Sequence, residues 1–150
     1  MFVRWLLATI HLLALGIGLG AIWARARALR GPLDPPGIRR VLVADTWWGI
    51  AAGLWIVTGA LRAFGRFEKG TDYYLHNGFF MAKMSLLALI LLLEIWPMVV
   101  FIRWRVQLAR GEAVDVSPAA AFARVSDLQA VLVVLMVLAA TAMARGLGVR

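Results

Sequence analysis

The sequence contains no cysteine. Disulfides, thiolate metal centres and covalently attached c-type haem are thereby excluded, and the redox compartment cannot be read from thiol usage. Charge is scarce, at 16% of residues, where soluble domains carry about 25%. Acids are scarcer than bases, 8 against 16, which leaves a net charge of +8. A basic excess of that size could suit nucleic acid. Here the bases cluster at the ends of apolar runs and between them, where membrane topology places them, so nucleic-acid binding is not expected. No polar segment is long enough for a separate soluble domain, and no repeat or low-complexity tract is present.

What the chain has instead is apolar residues, 63% of the total, with a mean hydropathy of +0.83. Soluble proteins average about 45–50% apolar, so this composition defines an integral membrane protein. One span takes about 20 residues, so the length is used up by four helices. Spans are expected at about 5–24, 41–61, 76–102 and 119–144, forming an all-α, four-helix transmembrane bundle in a single domain, 1–150. The first run exceeds the roughly 7–15 residues of a signal-peptide core and leads into a basic segment, so a retained helix is expected. Residues 31–40, with three prolines and two glycines, are expected to form a loop. Trp47 and Trp48 suit a headgroup-level aromatic belt. Basic residues divide nine against six between the two sides, with Lys83 left out. That asymmetry favours both termini outside the cytoplasm of a bacterial inner membrane.

The anomaly is Lys83, inside the third apolar run. An ionised lysine near a helix centre costs roughly 2.5–3.5 kcal/mol on insertion scales, so such residues usually face a partner, a cavity or a ligand. A rise of 1.5 Å per residue puts Lys83 about 10 Å below the start of its span, and His11 about 9 Å into the first. The two spans run the same way, so the residues share a depth whichever way the protein is inserted. His76 lies seven residues before Lys83, on nearly the same helix face at the mouth. His11, His76 and Lys83 therefore define a candidate pocket if the spans adjoin. Its imidazoles could be metal or haem ligands, with Lys83 pairing an anionic group such as a propionate. The plainer alternatives are a histidine bonded across helices, a histidine at the interface and a lysine snorkelling outward. Met81 and Met84 could supply soft ligands for Cu(I) or an axial thioether. In the other half, Asp45, Glu94, Arg124 and Asp127 fall at comparable depth. They are expected to form a buried ion-pair network that fixes helix register, or a proton path.

Three stretches carry a resemblance: residues 11–20 (HLLALGIGLG), 45–50 (DTWWGI) and 74–84 (YLHNGFFMAKM). Over nearly its whole length the chain is similar to a group of small bacterial four-helix predicted membrane proteins without assigned function. More distantly, a first-helix histidine with a third-helix lysine resembles the J-type protoporphyrinogen IX oxidases and the copper-resistance D-type membrane proteins. The oxidase resemblance implies His11 as an axial ligand of b-type haem and Lys83 as a propionate or substrate partner. Glycines stand where the oxidases carry a tryptophan-containing stretch, so the resemblance supports a haem pocket more than oxidase activity.

The leading expectation is a haem b protein in redox or tetrapyrrole chemistry, with a quinone or porphyrin as ligand, enzyme status open. Copper or proton transport, through His11, His76, Met81, Met84 and the acidic cluster, is the alternative. A structural subunit of a membrane complex, or a homo-oligomer, is a third.

Overall fold

A computed structural model describes residues 1–65 and 77–147. Among these residues there are four helices: α1 (Phe2–Arg30), α2 (Pro35–Phe64), α3 (Gly78–Ala109) and α4 (Ala119–Ala144). Each is long and apolar enough to cross a membrane. Their order is up, down, up, down. The α1 N-terminus, the α2 C-terminus, the α3 N-terminus and the α4 C-terminus all lie at one end of the bundle, here called the open end.

The connection between α1 and α2 is shorter than expected, because Pro35 and Pro36 begin α2 instead of ending the loop. Asp34 is the N-cap, its side chain accepting the Gly37 N–H at 2.9 Å, and the prolines take the first two helical positions. The missing proline N–H groups cost nothing there, since first-turn donors have no helical partner in any case. Gly37 is needed at this turn, since a Cβ would sit 1.8 Å from the Pro32 carbonyl oxygen. At the other end of the bundle, Asn77 caps α3 by accepting from Phe79 N and Phe80 N, and its amide donates to the Leu147 carbonyl.

Helix α1 packs closely along α2 and also against α4. Helix α3 packs on α4 and meets α2 at few points. Helices α1 and α3 are thus diagonal, and the α2–α3 seam is the loosest of the bundle. Gly18 is the close-approach point of α1, where a Cβ would come 3.3 Å from the Ala51 Cβ. Gly16, Gly20, Gly49 and Gly53 have open space where a side chain would be. Trp48, expected in a headgroup belt, is buried beside Gly18, whereas Trp47 is 52% exposed. Among the described residues the core has two large apolar clusters and a small one of Ala63 and Phe80 near the open end. One large cluster, around Ile22, Trp48, Ile90, Val133 and Met136, occupies the middle of the bundle. The other, around Phe101, Trp104 and Phe122, fills the closed end.

Candidate functional site

Two polar assemblies lie on either side of the central apolar cluster. In the half toward the closed end, the organising residue is Arg25, which is fully buried. Its Nε donates to Ser126 Oγ at 3.0 Å, Nη1 to Asp45 at 2.9 Å and Glu94 at 2.6 Å, and Nη2 to Glu94 at 2.9 Å and Gln129 at 2.8 Å. A guanidinium has five N–H donors in a planar fork, and these five bonds use them all. Arg25 therefore ties α1 to each of the other three helices. Its bonds to Glu94 are bidentate, the geometry in which arginine holds a carboxylate most strongly. Arg105 closes the other side of Asp45 at 3.0 Å, while Gln129 also donates to Glu94 and to the Ile90 carbonyl. Two arginines and two carboxylates leave the assembly electrically neutral.

The expected cluster of Asp45, Glu94, Arg124 and Asp127 is therefore divided. Asp45 and Glu94 meet, but around Arg25. Arg124 is exposed, and Asp127, also exposed, pairs with Arg30. The reason is azimuth. The buried stripe of α4 runs through Phe122, Ser126, Gln129, Val133 and Met136, and Arg124 and Asp127 fall off it. Arg25, placed by the sequence reading beyond the first span, lies inside because α1 continues to Arg30.

The half toward the open end contains a cavity of about 480 Å³ bordered by all four helices. His11 and Leu15 come from α1, Trp55, Gly59 and Arg62 from α2, Lys83, Met84 and Leu87 from α3, and Met136 and Met143 from α4. His11 and Lys83 thus line one space, facing it across the diagonal rather than meeting at a helix–helix seam. His11 is 9% exposed and Lys83 is half-buried. Both lining cations, Lys83 and Arg62, belong to the two helices of the loosest seam. Met84 lines the cavity, whereas Met81 is 52% exposed and does not. His76 lies outside the described residues.

The imidazole of His11 is held against α2. Its Nδ1 is 2.9 Å from Thr58 Oγ1, and its ring lies 5.6 Å from the Trp55 ring. Gly59 permits this approach, since a Cβ there would be 3.2 Å from His11 Cε1. The Trp55 indole N–H is buried and has no hydrogen-bond partner among the described residues. Leaving such a donor unsatisfied costs about 1–3 kcal/mol. Among the described residues no group of three or more His, Asp or Glu could hold a metal ion.

Thr58, Gly59, Arg62 and Gln129 were not singled out as site residues by the sequence reading. For Arg25 a signal existed: His11, Gly18 and Arg25 recur every seven residues and so share one face of α1. Thr58 carried none, because a threonine in an apolar helix usually bonds its own backbone.

Four apolar helices around an intramembrane cavity define a polytopic α-helical membrane protein. A family model described as a predicted membrane protein, DUF2214, matches residues 3–148, and the chain belongs to that family. No curated protein and no solved structure matches it. The resemblance to the oxidases and copper-resistance proteins accordingly rests on His11 and Lys83 alone.

Proposed function

We propose that the cavity binds an apolar ligand bearing acidic groups, and that this ligand is b-type haem. The observation that carries the reading is that His11 and Lys83 line a single cavity of about 480 Å³. Cofactor pockets are commonly about 300–1,000 Å³, mostly apolar, with a few placed polar groups, and this cavity has that character. His11 would be the axial ligand, and Lys83 and Arg62 would receive the propionates. Haem bound there would supply one-electron chemistry within the bilayer, in exchange with a quinone or a porphyrin. The residues fit the group: the imidazole is oriented by a second bond, Gly59 leaves it room, and both lining charges are positive. On this reading the protein resides in the bacterial inner membrane, with the open end and both termini outside the cytoplasm. Arg25, one of the nine bases that favoured this orientation, is buried, so eight against six remain.

The test is the absorption spectrum of protein purified in detergent from cells given a haem precursor, and of apo-protein titrated with hemin. A Soret band in wild type that disappears in His11→Ala supports the reading. A colourless protein that gains no band with hemin ends it.

One observation favours a second reading. Met84, Met136 and Met143 share the cavity with His11, and thioether with imidazole is a donor set that selects Cu(I). Copper stoichiometry in wild type and in a triple Met→Leu variant separates the two readings. Copper bound by wild type and lost in the variant, without a Soret band, favours transport.

A further inference from the structure

Thr58 Oγ1 sits 2.7 Å from the Leu54 carbonyl oxygen, 3.2 Å from the Trp55 carbonyl oxygen and 2.9 Å from His11 Nδ1. A hydroxyl has one proton and two lone pairs. Both carbonyls can only accept. If the hydroxyl proton went to His11, two oxygens would face each other at 2.7 Å with no hydrogen between them. The proton therefore goes to the α2 backbone, and Thr58 offers His11 a lone pair. We propose that Thr58 is the positioning residue of the site: it holds His11 as the Nδ1–H tautomer, making Nε2 the ring's basic, metal-coordinating nitrogen.

The ring's orientation agrees. The atoms nearest a Gly59 Cβ would be His11 Cε1 and Nδ1, so the Nδ1–Cε1 edge faces α2. Thr58 and Gly59 act together, one fixing the proton and the other the distance. A ligating histidine usually donates its other N–H to a fixed acceptor, which sets the tautomer and raises the basicity of the coordinating nitrogen. Here the acceptor is a hydroxyl that is itself anchored on a helix carbonyl. Only the last step of this proposal, coordination, rests on the haem reading. The tautomer does not.

The experiment has two arms. In ¹⁵N-labelled apo-protein carrying His76→Gln, His11 is the sole imidazole, since the chain has two histidines. Its ¹⁵N shifts should show a protonated Nδ1 and a pyridine-like Nε2. Thr58→Val, of nearly the same shape, should release the ring to the Nε2–H form, and Thr58→Ser should restore the wild-type pattern. An Nε2–H tautomer in wild type, or no change in Thr58→Val, overturns the proposal whatever hemin does. In the second arm hemin is titrated into the same proteins. Loss of the group that a ligating histidine donates to weakens metal binding about 10–100-fold, so hemin affinity should fall by that factor in Thr58→Val and by much less in Thr58→Ser. Equal hemin affinity in Thr58→Val, despite a changed tautomer, overturns the coordination step. An Nδ1–H tautomer in a wild type that binds no hemin supports the role of Thr58 and removes the haem reading alone.

Discussion

The two polar assemblies are built from similar residue types to opposite ends. Around Arg25 every donor of the guanidinium has an acceptor, and positive and negative groups balance. Around His11 there is a large cavity, the charged residues lining it are basic, and an indole N–H beside it has no hydrogen-bond partner among the described residues. The first is the pattern of a structural lock. The second is the assembly to which the proposed function assigns a ligand. Between them lies an apolar layer of Ala14, Trp48, Trp55, Ile90 and Val133, about 21 Å thick as measured by the rise of α1 from His11 to Arg25.

If that contrast is right, Arg25→Met should produce the largest loss of stability in the molecule. Breaking a buried pair from one side leaves uncompensated charge and costs about 3–5 kcal/mol. Here Glu94 would lose its cation while Asp45 keeps Arg105, and detergent-induced unfolding followed by circular dichroism reads the loss. Hemin affinity in whatever fraction remains folded should change little.

His11→Ala should do the reverse. It removes the proposed axial ligand and abolishes the Soret band, while the unfolding midpoint shifts far less than in Arg25→Met.

Lys83→Met sharpens the comparison further, because ligand affinity should respond more than stability. The unfolding midpoint should shift far less than in Arg25→Met. Ligand affinity should fall about tenfold, the equivalent of about 1.4 kcal/mol. A fall in stability like that of Arg25→Met would make Lys83 a structural ion-pair partner instead.

Gly59→Ala is subtler. The added methyl meets His11 Cε1 at 3.2 Å, and overpacking typically costs about 1–3 kcal/mol. A small rotation of the ring can relieve it, so the expected signature is a shifted Soret maximum with modest destabilisation.

The smallest effect belongs to a group outside both assemblies. Asp115, in the α3–α4 connection, has its pKa held below the usual 3.8, chiefly by the N–H of Ser117. A depressed carboxylate stabilises the fold above its unfolded pKa, and the contribution is lost as pH falls through the lower folded value. Acidification over that range should loosen the contact in Asp115 wild type but not in Asp115→Asn, and should leave both assemblies unchanged.

The bundle itself was legible because four apolar runs of spanning length admit few other arrangements. The cavity was half legible: equal depth brought His11 and Lys83 together although their helices lie on a diagonal. Depth alone failed for the ion-pair assembly. Arg124 and Asp127 match Asp45 and Glu94 in depth but point away from them, while Ser126 and Gln129 fall on the apolar stripe of α4. Arg25 was misplaced because a run of arginines reads as the end of a span. Fourteen residues from His11 puts it about 40° from the same face at 100° per residue, which is enough to point it inward. Thr58 was invisible, because its role depends on a partner 47 positions away in the sequence.

The four-residue turn between α1 and α2 has a consequence for biogenesis. Local contacts form first when loop closure is short, and α1 and α2 share the most intimate packing in the bundle. The two helices can therefore enter the bilayer as a hairpin that already holds the Arg25–Asp45 pair. The arginine is then not exposed alone to hydrocarbon while the second half of the chain is still being made. Glu94, Ser126 and Gln129 arrive with α3 and α4, so docking of the second hairpin completes the hydrogen bonds of the guanidinium.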